Sequence, residues 1–305
     1  MTTSNRSTSL SDGSIKPGGA KATRYGLKRR LSNFWVYVLL LLAGFAFGLP
    51  FFWTVSSSLK PITELFVFPP TLWPENIRWQ NYADVFTIAP FALFIWNTAI
   101  VTALAMIGQI LSAAVVAFGF TRFRFPGREA LFVLVLSTLM LPWQVTVVPQ
   151  FLLFRYLGWI NTFAPLIVPS FFGGGAFYIF MLRQFFLTIP RDLDEAAKLD
   201  GASSFRIFWN IILPLSKAAL ATVAIFSFIG HWNEFFGPLI YLNSPEKFTI
   251  SIGLRYFVSN PFESDEPREA ILMAASLITA APVLMLFFAA QKYFVQGIAT
   301  TGLKG

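Results

Sequence analysis

Apolar residues along this chain do not alternate with polar ones. They gather into six long runs, residues 34–55, 91–120, 131–154, 162–182, 218–242 and 270–290, and only the fifth holds a charged side chain, Glu234. A hydrocarbon core about 30 Å thick takes roughly 20 mostly apolar residues per helix, and each run is of that size. Strands of a closed barrel would alternate apolar and polar residues over about ten positions, whereas FWVYVLLLLAGFAF at the head of the first run does not. Backbone groups in lipid need internal partners, so the pattern predicts an all-α polytopic membrane protein with six transmembrane helices. Residues 34–290 form its membrane domain, with a polar loop at 188–217, a largely disordered tail at 1–33 and a second tail at 291–305.

The first run invites comparison with a secretory signal. A signal core spans about 7 to 15 apolar residues, while residues 34–55 are long enough to cross and follow a 33-residue leader, so this span is expected to stay uncleaved. Composition agrees with the bilayer as solvent: 55% of the 305 residues are hydrophobic and 12% charged, and the mean hydropathy is +0.62.

Six crossings put both termini on one side, and the positive residues choose which. Seventeen Lys and Arg lie on the side of the termini and six on the other, which places both termini in the cytoplasm. That bias accounts for the net charge of +8. A pI near 9.8 in a soluble chain would suggest nucleic acid as a partner. Here topology and anionic lipid absorb the charge, so membrane lipid and not nucleic acid is expected. Residues 1–21 are rich in Ser, Thr, Gly and Lys and poor in apolar side chains, the composition of a tail without a core. The chain has no cysteine, which excludes disulfides and thiolate chemistry.

The longest loops on the other side, 56–90 and 243–269, carry much of the acid. The first contains FVFPPTLWPENIRWQNYADVF, whose prolines and aromatics suggest an ordered interfacial lid. Neither loop is large enough for a receptor domain.

Enzyme chemistry finds little to work with. A phosphate loop ending in Gly-Lys-Ser or Gly-Lys-Thr is absent, and Gly173, Gly174 and Gly175 lie in an apolar run without a following lysine, where they suit bending or close helix packing. His231 is the one histidine, too few for a zinc or di-metal cluster, so no metal is expected. Glu234 in the fifth span should face protein or water, either snorkelling to the outer interface or serving at an outer gate. Asn97, Gln144 and Asn233 are candidates for hydrogen bonds to a polar solute along a translocation path, or for amide links between helices.

The stretch DEAAKLDGASSFRIFWNIILPL, residues 194–215, is unlike its surroundings. Pro190 suits a helix start, and Asp192, Asp194 and Glu195 put negative charge at the positive end of the helix dipole. Gly201 can close that helix in a left-handed conformation, and Ser203 or Ser204 can cap the next. Phe205, Phe208, Trp209 and Ile212 follow at steps of three and four, giving the second helix an apolar face before Pro214. Ala196 and Ala197 leave the first helix without bulk. The loop is a helix–turn–helix knob between two membrane helices, able to pass force from a partner to the bundle.

Glu195, Ala196, Ala197 and Gly201, followed at fixed spacing by Ile211, Ile212, Leu213 and Pro214, resemble the EAA loop of ABC importer permeases. SSSLKP at 56–61, AFGFTRFRFPGRE at 117–129, HWNEFFGPLIYL at 231–242 and the ending VQGIATTGLKG extend the likeness to the carbohydrate-uptake permeases. The resemblance implies a type I importer. This chain would work with a second homologous permease, two ATPase subunits that bind ATP and magnesium, and an extracytoplasmic solute-binding protein delivering a sugar, oligosaccharide or polyol. It also implies that Glu195, Ala196, Ala197, Gly201, Ile211, Leu213 and Pro214 couple to the ATPase, with no catalysis and no cofactor in this chain. Glycerol-phosphate import is the alternative within the family, and a stand-alone secondary transporter or channel the alternative outside it.

Overall fold

The computed structural model describes the backbone of residues 19–258 and 267–302 and the side chains of residues 34–258 and 267–291. It divides into two units, residues 1–53 and 54–305. Among the described residues every regular element is a helix or a single helical turn.

The first unit holds most of helix α1, Gly19–Ser58, which is apolar on every side from Phe34 to Trp53 and contains Pro50. Helix begins at Gly19, so the disordered tail expected over 1–33 is too long. Residues 19–33 are mostly helix formers such as Ala, Lys, Arg and Leu, while residues 1–18 lie outside the described residues.

In the second unit the short helix α2, Gln80–Ile88, leads into the 32-residue helix α3, Phe91–Arg122. Phe91, Phe94, Thr98, Val101, Ala105 and Gly108 are buried on α3, alternating steps of three and four that keep one stripe turned inward. One half of α3 joins α2, Trp232 and Ile250 in a first apolar cluster. The other half packs with Leu182, Phe186, Ile212 and Val223 in a second. Among the described residues, the remaining α-helices of more than four residues are α4 (Arg128–Ser137), α5 (Trp143–Tyr156), α6 (Ala176–Thr188), α7 (Asp192–Leu199), α8 (Lys217–Trp232), α9 (Phe236–Tyr241) and α10 (Glu269–Gly302).

Among the described residues, four stretches are long and apolar enough to cross as single spans, namely Phe34–Ser58, Phe91–Arg122, Ala164–Thr188 and Glu269–Gln291. Two more are bent pairs: Arg128–Met140 with Trp143–Tyr156 at 97°, and Ser204–Leu215 with Lys217–Trp232 at 79°. The third expected span is therefore not straight. Leu141 precedes Pro142 and is extended, with ψ 115°, because the proline ring disfavours helix at the residue before it. The fifth span ends earlier than drawn, since α8 stops at Trp232.

The glycine triplet also departs from expectation. Gly173, Gly174 and Gly175 have φ of 94°, 59° and 77° and break the fourth span ahead of α6 rather than lying inside a helix. Gly174 is required there twice over: its conformation is left-handed, and a Cβ would collide with the backbone of Ala113 on α3. At the other end of the chain, α10 continues to Gly302, so the segment expected as a tail has helical backbone over most of its length.

The 56–90 loop is an ordered lid. Ser56 Oγ donates to Leu72 O at 2.6 Å, and Asn81 Nδ2 donates to Ser58 O and Lys60 O at 2.8 and 2.9 Å. Lys60, 1% exposed, turns its ammonium onto Thr71 O.

Candidate functional site

Helix α7 begins directly after Pro190 and Arg191, with Asp192, Asp194 and Glu195 in its first turn. These acids divide by direction. Asp192 and Glu195 are exposed, whereas Asp194 is 6% exposed and turned inward, its Oδ2 2.8 Å from Nε of Arg122 at the end of α3. Arg122 Nη2 also donates to Ile189 O at 3.2 Å, and Arg191 Nη2 donates to Thr121 O at 3.0 Å. The start of α7 is thereby fixed to the last turn of α3 by an ion pair and two guanidinium–carbonyl bonds. Arg122 escaped the sequence reading, which counted it only as a topology charge. Its signal was weak, one arginine among several in RFRFPGR.

The turn closes as its residues require. Gly201 has φ 78°, its N–H donates to Lys198 O at 3.0 Å and the Ala202 N–H to Ala197 O at 2.9 Å, the paired bonds of a left-handed helix stop. Ser203 then caps the next turn, accepting from Arg206 N at 3.3 Å. Beyond it the expected apolar face splits. Phe208 and Ile212 are buried together with Ile207, while Phe205 and Trp209 are 73% and 52% exposed and stack on one another at 6.2 Å. A π-type turn over Phe208–Ile212 causes the split, since its wider winding shifts which side chains share a face.

The candidate coupling residues thus fall into two groups. Glu195, Ala196, Gly201 and Pro214 are exposed, whereas Ala197, Ile211 and Leu213 are half-buried, Ala197 and Leu213 against the apolar cluster. Leu199 at the tip is 90% exposed. A rigid knob with a small-residue face and a bare apolar tip can engage a partner and transmit its displacement to α3.

The four candidate path residues do not come together. Asn97 is buried and its Nδ2 donates to Glu246 O and Phe248 O at 2.9 and 3.0 Å, tying α3 to the 243–258 segment. Gln144 is exposed at the start of α5. Asn233 is exposed past the end of α8 and donates to Ile229 O at 2.9 Å. Glu234 lies in no helix. It occupies the gap before α9, exposed, and accepts the Gly237 N–H at 2.9 Å, so it caps a short helix instead of sitting within a span. A polar contact inside the bundle had gone unread. Gln109 Oε1 on α3 accepts from Ser227 Oγ at 2.6 Å and lies 3.0 Å from His231 Nε2. Ser227 and His231 are four apart on α8 and share one face, so a single glutamine engages both.

Residues 109–300 match the model of the binding-protein-dependent transport system inner membrane component family. The chain belongs to this family. It is an ABC importer permease, a transport subunit and not an enzyme. It is 35% identical to the probable ABC transporter permease protein YurM of Bacillus subtilis over 90% of this chain and 89% of that one. To the arabinooligosaccharides transport system permease protein AraQ of Halalkalibacterium halodurans it is 32% identical, over 92% and 100%. The sn-glycerol-3-phosphate transport system permease protein UgpE of Yersinia enterocolitica is 30% identical over 88% and 97%. Among solved structures, the permease fold recurs in a bacterial ABC transporter involved in the import of the acidic polysaccharide alginate, with a TM-score of 0.78, 24% identity and coverage of 88% of this chain and 98% of that one. Membership sets aside the stand-alone transporter, although the broken fourth span is a feature that reading would have welcomed.

Proposed function

We propose that this permease imports a neutral sugar, oligosaccharide or polyol across a prokaryotic inner membrane. Both its termini are cytoplasmic, and it works with a second permease, a solute-binding protein and two ATPase subunits that carry ATP and magnesium. The observation that carries the coupling half is the knob: an exposed Glu195–Ala196 face and Leu199 tip held to α3 through Arg122, Asp194 and Arg191. An apolar tip and an exposed aromatic pair on a charged loop fit a protein partner better than water. When the ATPase pair closes, displacement of α7 is passed along α3, which runs through both apolar clusters, and the bundle changes the side to which it opens. The candidate path residues serve differently from a solute site: Asn97 ties α3 to the 243–258 segment, Glu234 caps α9, and Gln144 and Asn233 stand at helix ends.

The neutral substrate is supported by charge. The six apolar runs contain no Lys or Arg, with Arg155 and Arg183 just beyond the ends of the third and fourth; Arg155 is exposed in the last turn of α5 and Arg183 is engaged by Glu129 at 3.1 Å, whereas a phosphate ester calls for unpaired cations within the path. Relatives named for arabinooligosaccharides and diacetylchitobiose agree, and those named for sn-glycerol-3-phosphate make that ester the control substrate.

The test is co-purification of the tagged chain from its own membranes, followed by uptake of labelled oligosaccharides and glycerol phosphate in vesicles. An ATPase and a second permease are expected in the preparation. Ala196→Trp, which places a large ring on the exposed face, is expected to insert normally yet lower ATPase recovery about tenfold or more, as loss of a packed contact of ~1.4 kcal/mol requires. Recovery of the chain alone, or normal ATPase capture by Ala196→Trp, overturns the coupling; faster uptake of the phosphate ester overturns the neutral substrate.

A further inference from the structure

The segment RFRFPGRE, residues 122–129, has a use beyond anchoring the knob. It forms a cleft of about 600 Å³ whose charged lining is Arg124, Arg128, Glu129 and Arg191. The one acid is already engaged, by Arg128 at 2.7 Å and by Arg183 at 3.1 Å. Arg183 is held in turn over the Phe132 ring, 4.1 Å from its centroid. Arg191 uses one nitrogen on Thr121 O. Arg124 is exposed, and its guanidinium makes no hydrogen bond or ion pair among the described residues. Arg128 is spent on Glu129 through Nε and Nη2 and on Phe123 O through Nη1, so the open donors of this positively charged cleft are the Arg124 guanidinium and the remaining nitrogens of Arg191, planar groups suited to phosphate oxygens.

Its setting names the rest of the ligand. The cleft opens where the 32-residue apolar helix α3 ends and where α4 begins, and α4 turns Leu131, Val133 and Leu134 outward at 48%, 63% and 63% exposure. Phe123 and Phe125 beside it are 46% and 38% exposed. In a chain that crosses a bilayer, such a face lies against hydrocarbon and the arginines one turn away lie at headgroup depth. Basic pockets at that depth on the cytoplasmic side recognise anionic headgroups.

We propose that this cleft binds the phosphate of an anionic phospholipid, with the acyl chains along the outer face of α4. Arg191 belongs both to the cleft and to the entry of the coupling loop, so an occupied cleft braces that loop. The bracing rests on the coupling function proposed above; the binding does not.

The experiment is native mass spectrometry of the full complex in mild detergent with phosphatidylglycerol, phosphatidylcholine or inorganic phosphate added, alongside uptake in vesicles of each lipid. Phosphatidylglycerol is expected to be retained about tenfold better than phosphatidylcholine, and Arg124→Gln/Arg128→Gln to abolish that preference, the loss of two positive charges from the cleft being worth at least that factor. Arg124→Gln alone, which removes no internal partner, is expected to weaken retention without changing the melting curve, and so separates binding from folding. Equal retention of the two lipids, or unchanged retention in both variants, overturns the site. Displacement by inorganic phosphate without lipid preference assigns the cleft to a free anion and overturns the lipid. Loss of the ATPase from the variants with lipid retention unchanged makes it a protein contact and overturns it as well. Loss of lipid with transport unchanged keeps the site and overturns the bracing.

Discussion

Arg122 and Asp194 are side chains 6% and 9% exposed, 2.8 Å apart, at the junction of α3 and α7. Removing one member of such a pair strands the other charge, at a cost of about 3–5 kcal/mol, whereas removing both avoids most of that penalty. Arg122→Gln and Asp194→Asn are each expected to lower the unfolding temperature of the solubilised complex and to slow uptake, with the double variant recovering part of both. A thermal double-mutant cycle measures this, and strictly additive losses would show that the two residues act separately. Gly201 is a different case, since nothing lies within 4 Å of a Cβ built there. Its φ of 78° makes Gly201→Val costly by about 1–2 kcal/mol through backbone strain alone. Gly201→Asn is expected to be nearly neutral because asparagine tolerates that conformation, so unfolding temperatures should rank glycine, asparagine, valine. Equal effects of the two substitutions would sink the conformational account.

Among the elements, the outer lid has its own titration. Burial pushes the Glu64 carboxyl up, but the Glu75 N–H, the Thr71 hydroxyl, the Asn76 N–H and the Lys60 cation together outweigh it, leaving the group below its ordinary value of 4.5. A depressed carboxyl contributes stability that is present above the ordinary value and lost as pH falls through the folded one. Protease protection of the lid is expected to hold from neutral pH down to 4.5 and to fail only below it, with Glu64→Gln weaker at neutral pH and flat with pH. The knob was legible in the sequence because its signals are local: Pro190, first-turn acids, a glycine stop and a serine cap each act within a few residues. The apolar runs were legible as spans, but not their directions, since hydropathy reports burial in lipid and is silent about a 97° bend at Pro142. Glu234 looked intramembrane for the same reason: the run continues past Trp232, while the helix does not. Links such as Arg122–Asp194 and Gln109–His231 join residues far apart in sequence and leave no periodic trace.

At the scale of the whole molecule, the apolar side chains left outward on the spans, including Leu104 and Val115 on α3, Val145 and Leu152 on α5 and Met285 and Phe288 on α10, call for hydrocarbon or a second permease around them. The topology proposed for the chain puts the termini, the coupling loop and the arginine cleft, with most of the Lys and Arg, on one side and the lid on the other. The chain has no native cysteine, so single-cysteine variants can test this one position at a time. Glu195→Cys on the knob is expected to react with an impermeant maleimide only in inside-out vesicles, and Phe68→Cys, at a site 92% exposed on the lid, only in right-side-out cells. Position 195 in the assembled complex should in addition be shielded relative to the chain purified without its ATPase, because the proposed docking covers the face that carries it. Labelling of both positions from one side would overturn the six-crossing orientation, whereas correct sidedness with equal labelling of position 195 in the presence and absence of the ATPase would preserve the topology and remove the docking face.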